Sequence, residues 1–260
     1  MEFFDYHRFS VFLLVLLRMA GFFMAFPFFS TVFIPVNVRI LLVVAFSFYV
    51  SAFVNSVPSN FTFDNVSLVA FLLLVVKEVL LGAFLSLVAM IFYGVVIYAA
   101  ELISYLMGLT VVNMFDPTFG MVSVIGRFFI FLFYVVFFVS GAYKVFIAAL
   151  VESFRVVPVG GFSLGEPVFE FFLKKTVLIF SMGFQLAFPF LITLFLTNLI
   201  LALINRLIPQ INVFIVGLPF QIFVGLFALF LGFFVVVYYF VNLSEYMNAA
   251  LMEILKIWSR

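Results

Sequence analysis

Long apolar runs separated by short polar breaks dominate the chain. Residues 9 to 29 form the first run, with Arg18 as its only charge, and residues 35 to 54 form the second. A membrane-spanning helix needs roughly 20 apolar residues, so each run predicts a span. Pro35 suits the first turn of the second, where the missing N–H has no intrahelical partner to lose. Ser56, Pro58, Ser59, Asn60, Thr62, Asp64 and Asn65 then form a polar turn, and either of the last two offers an N-cap for the next helix. The third run, 66 to 100, carries Lys77 and Glu78 inside it. It is longer than one crossing, so it tilts strongly, projects beyond the bilayer, or breaks near Gly82 or Gly94.

Residues 101 to 121, ELISYLMGLTVVNMFDPTFGM, are a mixed connector. Its Asp116–Pro117 reads as N-cap plus first turn of the next helix. The fourth run covers 122 to 151, with Arg127 and Lys144 inside it. Residues 152 to 175 concentrate Glu152, Arg155, Glu166, Glu170, Lys174 and Lys175 among Pro158, Gly160, Gly161, Gly165 and Pro167, which predicts an extramembrane loop. The fifth and sixth runs, 176 to 205 and 207 to 243, hold no charge and are separated by Arg206. From Ser244 onward Met247, Ala250, Leu251, Ile254, Leu255 and Trp258 share one helical face opposite Glu245, Asn248, Glu253 and Lys256. That spacing predicts an amphipathic helix over 244 to 258, lying on a membrane surface or against a partner. The expectation is an all-α, polytopic membrane protein, a single domain over 1 to 260 with six hydrophobic segments. With simple alternation, Arg8, Arg155, Lys174, Lys175, Lys256 and Arg260 share one side against Arg39 and Arg206, which places both termini in the cytoplasm.

Composition agrees and adds one point. Hydrophobic residues make up 68% of 260 and charged residues 9%, where soluble domains run near ~25% charged. A water-soluble monomer of this composition would expose apolar patches that such proteins avoid, and disordered chains are poor in apolar residues. Six spans at roughly 20 residues each need about 120 apolar positions, fewer than 68% of 260 supplies. The excess, with Phe alone at 45, points to burial against protein as well as lipid. The first residues, MEFFDYHR, mix Glu2 and Asp5 with Arg8, and no small-residue cleavage site comes after them. The first run is therefore expected to stay as a helix rather than serve as a cleaved signal. Cysteine is absent, His7 is the one histidine and the net charge is +1. Thiolate or His-based metal sites, Cys nucleophiles and a basic nucleic-acid surface lose their usual parts, and no cofactor is expected.

A few positions carry more specific information. Lys77 and Glu78 are adjacent and cannot face each other on a helix, so each needs a partner elsewhere. They line a polar junction or pathway, or they form structural pairs. Arg18, Arg39, Arg127 and Arg206 remain charged under ordinary conditions, which suits fixed ties or snorkelling better than proton carriage. Gly82, Ser86 and Ala89, and later Gly225 and Gly232, permit close helix approach. Met107 to Gly120 is bulky and apolar (Leu109, Val111, Val112, Met114, Phe115) yet broken by Gly108, Asn113, Asp116, Pro117 and Gly120. Irregular backbone at membrane depth needs protein or a water-filled cavity around it. The stretch is a plain helix–helix turn or a stopper, since Met packs tightly yet rearranges. In NRLIPQINVFIVGLP, Asn198 and Asn205 share a face leading to Arg206. Pro209 ends or kinks that helix, and Gly217 and Pro219 break the next. Gln210 and Asn212 place amides between them, as at membrane-protein sites and subunit contacts, or merely satisfy the backbone of a re-entrant hairpin.

At these residues the chain resembles the FliR family of flagellar export-gate proteins, whose injectisome relatives are called SctT. The likeness runs through Pro27, Ile34–Pro35 and Arg39, then Lys77–Glu78 and Gly82, Met107–Gly108 and Asp116–Pro117. It continues in Ser153–Phe154 and Pro158, and is most specific in Pro209–Gln210–Ile211–Asn212–Val213–Phe214 with Gly217 and Pro219. Gly217 followed by Pro219 looks more like the flagellar branch. Where many relatives carry Gly-His, this chain has Ala142–Tyr143, so no role of that His is carried over. The resemblance implies a protein-conducting gate rather than an enzyme, assembled with FliP and FliQ into a pore at the flagellar base in the inner membrane and partly projecting on the periplasmic side. It implies FlhB and FlhA as further partners and unfolded exported proteins as cargo. Its plug loop maps onto Met107, Gly108, Val111, Val112, Asn113, Met114, Phe115, Asp116 and Pro117. Its subunit or hairpin contact maps onto Asn205, Arg206, Pro209, Gln210, Asn212, Phe214, Gly217 and Pro219. Beside this stand a small-solute transporter using Glu78 or Glu101 as an ion site and the broken helix near Pro209 as a substrate site, for which no internal repeat is visible, and a lipid-acting membrane enzyme. The latter lacks a His or Cys constellation and has no paired carboxylates at a useful spacing, Glu101 and Asp116 being too far apart in sequence to count as a pair.

Overall fold

The computed structural model describes residues 6–29, 34–54, 67–109, 122–208 and 213–259. Among them every regular element is a helix, and no strand occurs. The order is α1 (Tyr6–Ala25), a short 3-10 turn (Pro27–Phe29), α2 (Val36–Ser51), α3 (Leu68–Leu106), α4 (Val124–Val139), α5 (Ala142–Val156), α6 (Glu166–Leu207), α7 (Val213–Leu231) and α8 (Phe233–Trp258). Three of these, α1, α3 and α6, are long and apolar enough to cross a membrane, or up to five spans result if α4–α5 and α7–α8 each count as one. The protein is an all-α polytopic membrane protein.

Several elements differ from the expected segments, each for a local reason. The third run does not break: α3 is one helix of 39 residues. Gly82 serves instead as a contact point, since a Cβ there would overlap the carbonyl oxygen of Arg18 on α1, just as one on Gly21 would overlap the Val79 carbonyl. The fourth run does break, into α4 and α5, at Gly141, whose φ of 75° lies in the left-handed region that glycine enters without penalty. The charged stretch 152 to 175 is mostly helical. Helix α5 continues to Val156, α6 begins at Glu166, and only 157–165 remain as loop. Glu166 sits in the first turn of α6, where the helix dipole favours an anion, and Pro167 is tolerated there. Lys174 adds an i,i+4 pair to Glu170 at 2.7 Å, a spacing that brings the two side chains together on one helix face.

The sixth run breaks at Gly232, where α7 and α8 are bent by 62°, whereas Gly217 and Pro219 lie inside α7 without breaking it. The tail is the end of α8 rather than a separate helix. Its apolar face is covered by the chain itself: Met247, Ala250, Leu251, Ile254 and Leu255 are all buried.

The chain forms two compact units. One comprises residues 1–90, 142–175 and 246–260, and the other residues 91–141 and 176–245. The core of the first includes Phe22, Phe26 and Phe146, with the Phe146 ring 4.9 and 4.5 Å from the other two. Trp258 meets Phe162 edge-on at 5.8 Å, and Lys175 bridges α6 to Glu253 of α8 at 2.7 Å. The core of the second includes Phe240, which Phe129 and Phe133 approach edge-on at 5.8 and 5.5 Å. Tyr239 of α8 donates its hydroxyl to the Met182 carbonyl at 2.8 Å.

Candidate functional site

In the second unit Met107 and Gly108, at the end of α3, meet α7. Helix α3 ends in a paired turn: the Gly108 N–H donates to the Tyr105 carbonyl at 3.0 Å, and the Leu109 N–H donates to the Ser104 carbonyl at 3.1 Å. Gly108 takes φ 75°, the left-handed residue such a helix end requires. Met107, completely buried, is thereby directed at α7. A Cβ added to Gly225 would stand 2.5 Å from Met107 Cγ, so only glycine leaves room for that thioether. One added to Gly108 would meet Leu218 Cδ2 at 2.6 Å and Gln221 Oε1 at 3.3 Å. The Gln221 amide in turn donates to Asn198 Oδ1 on α6. The start of the connector is thus seated on α7, behind an amide pair linking α6 and α7.

The far end of the connector is also tied. Ser123 caps α4, its Oγ accepting the Gly126 N–H at 3.0 Å, in place of the expected Asp116–Pro117. The Ser123 N–H itself donates to Glu101 Oε1 on α3 at 2.9 Å. Gly126 is the space that carboxylate occupies, since an added Cβ would lie 2.6 Å from the same oxygen. A carboxylate at a helix N-terminus is favoured by the dipole and makes a charge-assisted hydrogen bond. Val111, Val112, Asn113, Met114, Phe115, Asp116 and Pro117 lie outside the described residues, as do Pro209, Gln210 and Asn212. Asn205 and Arg206 are exposed at the end of α6, Phe214 lies in α7, Gly217 is buried and Pro219 is exposed. Ser123, Gly126 and Gln221 were not among the residues the sequence pointed to. A Ser directly before an apolar run is an N-cap signal that could have found the first; Gly126 and Gln221 carried none.

The first unit holds a separate polar cluster around Arg18, which is fully buried. Its Nε donates to Glu78 Oε2 at 2.7 Å. Nη1 donates to the Ser153 carbonyl at 2.9 Å and to its hydroxyl at 3.3 Å, and Nη2 donates to the Val157 carbonyl at 3.1 Å. The guanidinium also stacks 4.1 Å from the Phe154 ring centroid. Glu78 Oε1 accepts the Gly160 N–H at 2.8 Å, while Lys77 Nζ donates to the Gly160 carbonyl at 3.1 Å. The adjacent pair therefore does not bond mutually, as helix geometry requires; the two side chains hold the N–H and the carbonyl of one residue, Gly160. Arg127 is exposed on α4. This cluster closes the C-terminal end of α5 and the turn after it, and its charges are consumed in doing so.

Several known proteins share this chain's pattern. A sequence profile described as Bacterial export proteins, family 1 matches residues 9–247. The chain is similar to the flagellar biosynthetic protein FliR of Aquifex aeolicus (strain VF5), at 36% identity over 220 residues, 85% of this chain and 84% of that protein. It is similar to the protein of the same name in Bacillus subtilis (strain 168), at 31% over 224 residues, 84% and 83% of the two chains. A further likeness is to Yop proteins translocation protein T of Yersinia pestis, at 28% over 170 residues, 64% and 65%.

Proposed function

The chain belongs to the family of bacterial export proteins, family 1, and we propose that within it this chain serves as a core subunit of the flagellar protein-export gate. In this reading it joins FliP and FliQ in an inner-membrane pore through which unfolded flagellar proteins pass, with FlhB and FlhA as neighbours. The flagellar assignment, rather than the injectisome one, is supported by 36% and 31% identity to flagellar proteins over most of the chain. The likeness to the Yersinia translocation protein is 28% over 64% of it. No step of this activity calls for catalysis. A loop of residues 107–117 closes the pore until cargo arrives, and residues 205–219 provide a contact with a neighbouring subunit or hairpin.

The observation that carries the plug reading is the seating of Met107 against Gly225, with Gly108 against Leu218 and Gln221. A glycine-formed notch thus holds Met107 and Gly108, the described start of that stretch, against α7. Removing Val111 to Phe115 while keeping Met107 and Gly108 tests it. The expected result is an ion leak across the cell membrane with export retained or deregulated. Membranes that stay tight, with export unchanged, would rule the plug out.

A further inference from the structure

Glu101 is placed so that one carboxylate touches the start of α4 from α3. Its Oε1 accepts the Ser123 N–H at 2.9 Å, and Ser123 passes the order on through its own Oγ to the Gly126 N–H at 3.0 Å. The fit is selective in two ways. The bond uses a backbone donor, so no substitution at 123 other than proline removes it. The carboxylate also fills the volume a side chain at 126 would take, 2.6 Å from the position of a Cβ there. Twenty-two positions separate Glu101 from Ser123, so the bond joins the part of the connector that continues α3 to the start of α4. Between the two in sequence, at the end of α3, Met107 is pinned to Gly225 and Gly108 abuts Gln221.

We propose that Glu101 is a positioning residue of the export gate, which ties the start of α4 to α3. The role rests on the gate reading above and adds to it a residue that neither the family likeness nor the connector's own composition singles out. What the tie needs is a hydrogen-bond acceptor at the 101 side-chain oxygen. A charge able to carry ions is not part of it, which separates this role from the ion site of a transporter.

The chain contains no cysteine, so paired cysteines for spin labels can be introduced cleanly at Tyr105 and Val124, 68% and 51% exposed. In the full complex, the parent and Glu101→Gln should give one narrow distance distribution, because the Gln amide oxygen still accepts. Glu101→Leu and Gly126→Ala should broaden or shift it, the first by removing the acceptor and the second by displacing it. In cells Glu101→Leu and Gly126→Ala should raise ion leak severalfold at normal protein level, with Glu101→Gln as tight as the parent. An unchanged distribution in Glu101→Leu overturns the tie. A broadened distribution with no leak, while deletion of Val111 to Phe115 does leak, overturns its role in the gate. A Glu101→Gln variant as leaky as Glu101→Leu also overturns it, since charge and not the acceptor would then matter. If the deletion itself stays tight, the plug reading fails, and the distance measurement alone decides whether Glu101 ties the start of α4 to α3.

Discussion

Arg18 directs all three of its guanidinium nitrogens at acceptors within the chain: a carboxylate, two carbonyls and a hydroxyl. Burying one charge of such a pair without the other costs about 3–5 kcal/mol, whereas replacing both by apolar groups is often neutral. Arg18→Leu should therefore lower stability by about 3–5 kcal/mol, and Glu78→Leu added to it should recover most of that loss. Thermal unfolding of the protein in detergent, assembled with its partners, measures both, and equal losses in the single and double variants would contradict the pairing. That Lys77 and Glu78 seek separate partners follows from helix geometry and was legible in the sequence. That Glu78 finds Arg18 was not, because the two lie 60 positions apart and several arginines occupy similar apolar settings. Gly160 had no signal at all, since it answers both charges with its backbone.

At the scale of elements, glycine acts in two opposite ways, and sequence alone does not say which. Gly141 and Gly108 end or turn helices through positive φ. Gly82, Gly21 and Gly225 instead stay in helices and admit a neighbouring carbonyl or a methionine. Gly82→Val should push α1 from α3 and prevent accumulation of folded protein, while Gly94→Ala, whose added Cβ would meet only the Ile179 side chain at 3.2 Å, should be tolerated. Comparing protein levels in membranes distinguishes them, and equal levels would contradict the close approach. The charge density of 152–175 concealed the first turns of α6, because a polar helix start and a polar loop look alike in composition. The amphipathic period of 244–258 was legible as a helix. Its neighbour was not, because periodicity reports that a face is covered without saying by what.

For the whole molecule, the excess of apolar residues over what spans require is visible on the surface. Phe180, Phe184, Phe188 and Phe195 on α6, and Phe223, Phe227 and Phe230 on α7, are all exposed. Helix α6 has 42 residues, about 63 Å at 1.5 Å per residue, twice the roughly 30 Å hydrocarbon core of a bilayer. Lipid alone cannot cover its length, and in the proposed gate partner chains cover part of these faces. Expressed alone in detergent, the chain should aggregate or spread over many sizes in gel filtration. Co-expressed with FliP-like and FliQ-like subunits it should elute as one hetero-oligomer, and a well-behaved lone monomer would contradict that expectation.

In the proposed gate this chain lines a path for unfolded proteins. An export substrate fused to a fold too stable to pass can be stalled in cells that carry a photo-crosslinking residue at Val111 or Met114. The expected result is a crosslink between this chain and the stalled substrate that disappears when the substrate lacks its export signal. No adduct with a substrate shown to be stalled in the same membranes would contradict the claim.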